Sequence, residues 1–555
     1  MIGLLRRLGR PSFGHDTMAG FVLGMQSVPS GLATGLLAGL NPLTGLYGYL
    51  VGTVSGALTT SSRFMAVQGT SAMAVLLVDV GVVHNSPHLG RALATLVLLT
   101  GAVMILAGVL RLGSLLRFVS NAVMVGFINA VGLTIMIGQL ANFTGYAAHG
   151  ANRVSQTADT VLHPGRLEPR TVVIGLATVA LIVLLERTPL RGLGLVVAVA
   201  ISSAAVPLLG WVQVATMSDL GVALGGLPGF ELPLLRLAPV LIVPAVSIAF
   251  VGLIQGAGVA AAFPNPDGHI GDASGDFLGQ GTSNVAVGLL GGMPVGGSMS
   301  ASALNKSAGA RSRWSFVFAS VVMLAVLLVL SDVIGRVAMP ALAGLLMVVG
   351  FRTISLGDLR SVWRTGPAQK IVMGVTFALT VVIPLQYAVL TGVALSVLLY
   401  VVNQSNQVVI RRRVRDEHGN LMEVDPPTMV PAHEVLTLQP YGSLFFAAAP
   451  VFEAALPAID SASHGSVVLL RLRGRSDLGV TFIEVLRRYS HALQQVGSRL
   501  MIVSVGEKVL AELAATGGID DIGDLSIYRE RARVGSATER AQAEARAWVD
   551  ARRDC

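Results

Sequence analysis

The sequence predicts a polytopic α-helical membrane protein of fourteen spans, built as two inverted seven-span repeats and followed by a cytoplasmic α/β domain. Three observations predict it. First, the 555 residues are 53% hydrophobic and only 13% charged, with a mean hydropathy of +0.70; a soluble chain of this length carries about twice that charge. Second, apolar runs of roughly 20 residues, enough to cross a bilayer, recur up to residue 404. Third, two of those runs, seven apart in order, are broken by glycine and hydroxyl residues, the mark of a repeat pair enclosing a binding site.

The runs lie near 16–38, 43–60, 64–83, 90–110, 119–142, 171–187, 192–209, 237–261, 275–293, 294–308, 314–331, 335–352, 368–384 and 386–404. The tenth is the more conspicuous break. Gly291 to Arg313 holds Gly291, Gly292, Gly296, Gly297, Gly309 and Pro294, with serines at 298, 300, 302, 307 and 312. Pro294 cannot continue a helix, Gly296 and Gly297 free the backbone, and Ser298 falls at a natural N-cap. The expectation is a short extended segment turning into a half-helix near the bilayer midplane. Such backbone is tolerated only where it lines a cavity or is buried in protein. The N-terminus of a half-helix suits an anion. The third run echoes it, with Gln68-Gly69-Thr70-Ser71 after an apolar approach. Small residues also serve close helix packing, but Pro-x-Gly-Gly-Ser-x-Ser opposite Gln-Gly-Thr-Ser points to a site.

Charge sets the orientation. The net charge of +8 comes almost wholly from arginine, with lysine only at 306, 370 and 508. With both termini placed in the cytoplasm, Arg6, Arg7, Arg10, Arg63, Arg111, Arg117, Arg187, Arg191, Lys306, Arg311, Arg313, Arg352, Arg360, Arg364 and Lys370 fall inside. Arg91, Arg153, Arg166, Arg170, Arg236 and Arg336 fall outside. That bias fits a membrane protein, not a nucleic-acid binder. The N-terminal arginines precede a first span, not a removed signal. The sole cysteine, Cys555, excludes internal disulfides and thiolate clusters. The ten histidines lie in loops, at span ends or in the C-terminal part, and His84 and His88 flank Pro87, so no metal or cofactor is expected.

After Asn403 the character changes. Arg411, Arg412, Arg413 and Arg415 form a basic juxtamembrane cluster, suited to anionic lipid or to simple anchoring, and Asp425-Pro426-Pro427 marks a linker. Val435–Leu438, Ser443–Phe446, Ser466–Leu472 and Leu500–Val505 read as strands. Val480–Val496 and Glu507–Ala515 read as helices. The expected divisions are 1–405 for the transmembrane part, 406–429 for the linker, 430–528 for the α/β domain and 529–555 for a charged tail, helical or disordered. No phosphate-binding loop, nucleophile elbow or zinc set appears, so no enzyme is expected.

Motifs along nearly the whole chain resemble the sulfate permease (SulP) family of anion transporters. They are Pro29 to Tyr47, Gly126-Phe127 with Gln139-Leu140, Gln280-Gly281 with Asn284, Gly292 to Ser300, and Asn305 with Ala308-Gly309-Ala310-Arg311. Gly442 to Phe446 and Val467 to Arg471 are similar to a STAS domain. The resemblance implies a core and a gate bundle, an anion held between half-helices 3 and 10, elevator-like movement of core against gate, and a homodimer in the inner membrane. It also implies a STAS domain open to a cytoplasmic partner. The implied site comprises Ser30, Thr34, Gln68, Gly69, Thr70, Ser71, Gln255, Gly297, Ser298, Met299 and Ser300, with Thr481 as a candidate regulatory hydroxyl or plain helix cap. Departures are Ser30 for a frequent Gln, Thr34 for a nearby aromatic residue, Gln255 for a carboxylate tied to cation coupling, and Ala301 for a basic residue. A neutral site favours a weakly held or singly charged anion; bicarbonate, sulfate, chloride and dicarboxylates stay open. Alternatives are an anion channel, a nucleobase-type permease and a membrane-anchored signalling protein with STAS output.

Overall fold

The computed structural model describes residues 12–553, apart from 114–119, 151–152, 221–225, 266–270, 384–386, 388–390, 393, 396, 400, 403–406, 443, 445, 475–477 and 518–525. Arg6, Arg7, Arg10, Arg117, Ser443, Ser476, Asp477, Cys555 and much of segment 386–404 lie outside the described residues. The chain forms two compact units, Met1–Ser396 and Val397–Cys555.

The first unit is helical. The helices that fall on the apolar runs are α1 (Phe13–Leu37), α2 (Pro42–Thr59), α3 (Ser71–Val78), α4 (Leu89–Val109), α5 (Asn121–Gly138), α6 (Pro169–Leu185), α7 (Gly194–Leu208), α8 (Ala238–Ala262), α9 (Ala273–Leu289), α10 (Met299–Ser307), α11 (Trp314–Val329), α12 (Met339–Thr353) and α13 (Pro367–Val382). The helix starts have local causes. Asn41 accepts from Leu43 N with Pro42 in the first turn, and Asp272 accepts from Ser274 N and Gly275 N. Among the described residues, four helical stretches are long and apolar enough to cross a membrane: Leu89–Val109, Asn121–Thr144, Leu235–Ala262 and Met339–Thr365. α3 and α10 are short because each is preceded by a strand, β1 (Ala66–Gln68) and β2 (Gly296–Ser298).

Packing divides these helices into two groups. α9 packs on α4 and α2, α11 on α1 and α2, and α8 on α4 and β2. Separately, α5 packs on α12 and α13, and α6 on α7 and α12. The first group, which also holds α3 and α10, surrounds the two short strands.

The second unit is a six-stranded mixed sheet in the order β4-β3-β5-β6-β7-β8. Its strands are β3 (Val409–Arg415), β4 (Leu421–Val424), β5 (Val435–Tyr441), β6 (Val467–Arg471), β7 (Arg499–Val505) and β8 (Ile527–Arg529). Neighbours from β5 to β8 pair in parallel, and β3 pairs antiparallel with both β4 and β5. Its helices are α14 (Ala449–Ala455), α15 (Val480–Gln495), α16 (Glu507–Ala515) and α17 (Ser536–Asp550). One face, with Leu436, Val468, Leu470 and Ile502, is covered by Phe452, Phe482, Leu486 and Val509. The other, with Val467, Leu469, Met501 and Val503, is covered by Ala537, Ala541, Ala545 and Val549 of α17. The period-2 alternation of strands sends neighbours to opposite faces, and both faces are covered, which is why Val467 to Leu470 are all apolar.

Three expectations are corrected here. Residues 406–429 are not a bare linker: the arginine run is β3, an integral strand, because Val409 to Arg412 pair with Tyr441 to Leu438. Ser443 and Phe445 of the expected strand Ser443–Phe446 lie outside the described residues, and Leu444 and Phe446 are not in a strand. Gly442 adopts φ +91°, which ends β5, and Phe446 begins a 3-10 turn. The region after Arg529 is not an appended tail, because α17 forms part of the sheet's second apolar layer.

Candidate functional site

The site grows out of a two-stranded ribbon. β1 and β2 pair antiparallel, with Ala66 opposite Ser298, Val67 opposite Gly297 and Gln68 opposite Gly296. Each strand runs straight into a half-helix. Thr70 caps α3, its Oγ1 accepting from Met73 N at 3.3 Å, and Ser298 caps α10, its Oγ accepting from Ala301 N at 3.4 Å. Because the strands are antiparallel, α3 and α10 leave opposite ends of the ribbon in opposite directions. Their N-termini therefore flank the same few residues. First-turn N–H groups have no partner inside their helix, so free donors and positive dipole ends converge there.

Glycine makes room for this. A Cβ at Gly297 would lie 2.5 Å from Gly256 Cα, and one at Gly296 would lie 3.0 Å from Gly252 Cα. On the other side, a Cβ at Gly52 would lie 2.8 Å from Val67 O, and one at Gly56 would lie 2.5 Å from Val67 Cγ2. The ribbon is thus wedged between glycine-bearing faces of α8 and α2, with glycines four residues apart in each.

The ribbon's backbone is satisfied by side-chain amides. Asn284 of α9 accepts from Val295 N at 2.9 Å and donates to Val295 O at 2.7 Å. One turn earlier, Gln280 Oε1 accepts from Gly297 N at 3.0 Å. On the opposite strand, Ala66 N donates to Ser302 Oγ at 2.9 Å. Both amides and Ser302 are fully buried.

The residues read as site members differ in what they offer. Thr70, Ser71, Met299, Ser300 and Gln255 keep accessible surface around the half-helix starts. Thr70 Oγ1 donates to Gln255 Oε1 at 2.9 Å, and Gln255 makes no other hydrogen bond among the described residues, so its Nε2 donors stay available. Ser298 Oγ and Ser300 Oγ are 3.4 Å apart. Gly69 and Gly297 supply buried backbone. Gln68 is different: it is fully buried and its Nε2 donates to Ser27 Oγ at 3.1 Å and Thr53 Oγ1 at 3.0 Å. It ties the ribbon to α1 and α2. Ser30 and Thr34 spend their hydroxyl protons on Gln26 O and Gly31 O of their own helix, which leaves each oxygen an acceptor. A cavity beside Gln255 is otherwise apolar, lined by Val123, Phe127 and Ile128 of α5 and Phe250, Val251 and Ile254 of α8.

Sequence reasoning gave no site role to Gln280, Asn284, Ser302 or the Gly252/Gly256 pair. The glycine spacing of four was the available signal. It also took Arg313 for a loop charge. Arg313 is buried, and its guanidinium donates to Ala57 O, Thr60 O and Ser61 O at 2.8–2.9 Å, closing the C-terminal end of α2. Two carboxylates flank it in the same style. Asp16 accepts from Arg311 N, Ser312 N and Ser312 Oγ, and Asp276 from Ser61 N, Ser62 N and both serine hydroxyls. Lys306 sits at the far end of α10, with Nζ over the rings of Phe64 and Phe263. In the second unit, Thr481 is exposed in the first turn of α15. Gly479 occupies the cap position, so Thr481 is not the cap.

The chain resembles several known proteins along most of its length. It is 26% identical to a protein described as a probable sulfate transporter of Mycobacterium tuberculosis, over 92% of this chain and 93% of that protein. Among solved structures, the murine Solute Carrier 26 family member A9 anion transporter, in a form described as inward-facing, superposes with a TM-score of 0.83 at 18% identity. That match covers 95% of this chain and 91% of the other. The transmembrane domain of a cyanobacterial bicarbonate transporter, BicA, gives a TM-score of 0.59 at 21% identity, covering 69% of this chain and 97% of that one. Residues 13–376 match the sulfate permease family model, and the chain belongs to that family.

Proposed function

We propose that the chain is a secondary transporter of a small anion, bound where the N-termini of α3 and α10 flank the β1–β2 ribbon. The observation that carries this reading is the convergence of two capped half-helices beside Gln255, whose free Nε2 complements the helix N–H groups. The substrate hydrogen-bonds to Thr70, Ser71, Ser298, Ser300 and Gln255 and to the backbone around Gly69, Gly297 and Met299. Ser30 and Thr34 of α1 join them only by turning their hydroxyl protons away from Gln26 O and Gly31 O to donate to the anion. Ala301 and Gln255 bring no charge, so attraction rests on dipoles and hydroxyls, which favours a singly charged or weakly held anion. Bicarbonate, named for BicA, fits this better than sulfate, named for the mycobacterial relative; chloride and dicarboxylates are the remaining substrates to compare.

In this reading the group containing α3 and α10 is the core, and the group containing α5 to α7, α12 and α13 is the gate. The core carries the anion by an elevator-like displacement across fourteen spans, in a homodimer in the inner membrane. The termini and the second unit, a STAS domain by its alternating strands and helices, lie in the cytoplasm. The exposed Thr481 is open to a regulatory partner there. The test is uptake of labelled bicarbonate, sulfate and chloride into vesicles containing the purified chain, with and without a sodium or pH gradient. Ser298→Arg and Gly297→Trp abolish uptake while insertion is retained. Undiminished uptake by both variants overturns the site, and channel-like turnover overturns the carrier mechanism.

A further inference from the structure

Among the described residues, one ion pair spans the two helix groups. Asp79 is the residue that closes the last turn of α3, at the end away from the ribbon. Arg153 opens the short helix Arg153–Leu162, which lies in the connection between α5 and α6. Arg153 Nη2 stands 2.7 Å from Asp79 Oδ1, with both side chains about three-quarters or more buried. A partly shielded, close-contact pair is screened less than a surface pair.

The helix bearing Arg153 is itself fixed to the group containing α5 and α6. Asp159, near its end, accepts from the Tyr146 hydroxyl at 2.9 Å and from His149 N at 2.8 Å, and His163 Nδ1 lies 3.0 Å from its other oxygen. Arg166 in turn donates to the Tyr146 hydroxyl. Arg153 is therefore presented from a braced platform. Its partner sits on the half-helix whose other end faces the proposed anion. A carboxylate at a helix C-terminus opposes the dipole, and Arg153 offsets that charge from across the boundary.

We propose that Arg153 and Asp79 form a latch between core and gate that holds the conformation described here. This rests on the carrier reading above. If the core slides against the gate, Asp79 moves with the core while Arg153 stays with the gate, and the pair separates in the opposite state. Arg153 then acts as a positioning residue: it sets how often the core leaves this state without touching the anion.

The test measures distance in the full-length chain carrying Cys555→Ser, with spin labels at Val82→Cys and Val161→Cys. Both positions are at least 36% exposed, and they flank the pair on its two sides. The unaltered pair should give a dominant short distance and a minor longer one. Arg153→Gln and Asp79→Asn should each raise the longer population roughly threefold or more, the size of effect a partly buried ion pair supports. The exchange Asp79→Arg with Arg153→Asp should bring it back near the starting value. No recovery in the exchanged pair would mean that the charge pairing does not set the populations, and the latch would be wrong. If two distances appear but neither single variant shifts their populations, the latch is wrong and the moving core stands. If one distance persists in every variant, with and without bicarbonate, the moving core itself fails and the latch with it.

Discussion

Asn284 pairs with Val295 through both ends of its amide, accepting from the backbone N–H at 2.9 Å and donating to the carbonyl at 2.7 Å. A helix side chain here replaces the third strand that β2 lacks. Asn284→Ala leaves two buried backbone groups unpaired, at about 1–3 kcal/mol each. The expected result is a lower melting temperature in detergent together with loss of most uptake. Asn284→Asp keeps the acceptor for Val295 N but loses the donor, and should fall in between. A melting curve identical to that of the unaltered chain would contradict the pairing.

Glycine substitutions on α8 should separate sharply over two residues. A Cβ at Gly256 meets Gln280 Nε2 at 2.2 Å, whereas one at Gly258 meets nothing nearer than Met299 Cε at 3.8 Å. Gly256→Ala should cut uptake by about tenfold or more, since it displaces the amide that holds Gly297 N; overpacking of this kind costs about 1–3 kcal/mol. Gly258→Ala should stay within about twofold of the starting rate, as expected for a change without a packing consequence. Initial uptake rates of the two variants, normalised to inserted protein, check this.

Gln255→Glu places a titratable group where a neutral amide now accepts from Thr70. When ionised it repels an anion at the half-helix starts, and when protonated it resembles the amide. Uptake by the variant should therefore fall at neutral pH and recover as pH is lowered, relative to the unaltered chain at each pH. A variant profile parallel to the original would place Gln255 outside the anion's reach.

Asp159 is held below the usual carboxylate range by hydrogen bonds from His149 N and the Tyr146 hydroxyl, with His163 and His149 adding favourable charge. A depressed carboxylate stabilises the fold above its ordinary range, and that contribution disappears as pH falls through the lowered value. Asp159→Asn removes it at every pH. Hydrogen exchange at neutral pH should then show residues 146–163 losing protection while α5 and α6 keep theirs.

The break in each half was legible because composition at membrane depth has few explanations. Gly296-Gly297-Ser298 cannot run as a lipid-facing helix, and Ser298 is the cap the sequence indicates. Which way a side chain leaves the broken backbone was not legible. Gln68 and Thr70 are both polar and two apart, yet Gln68 faces α1 and α2 while Thr70 meets Gln255. That direction depends on strand pairing with residues some 230 positions away. Charge misled twice. The arginines of β3 mask a strand whose register is set by its partner β5, and the acidic and basic residues of α17 mask a stripe at Ala537, Ala541, Ala545 and Val549. Each became visible only once the apolar face it covers was in place.

The glycine seats on α2 and α8 have a mechanical consequence. With α8 main chain against Gly296 and Gly297, and α2 against the carbonyl and side chain of Val67, the ribbon has little slack in which to bend. Stiffness of this kind leaves Gly296 and Gly297 little room to shift on their own. Any displacement of that point is shared by α2, α8 and α9 at once, so the smallest moving part is about as large as the helix group itself.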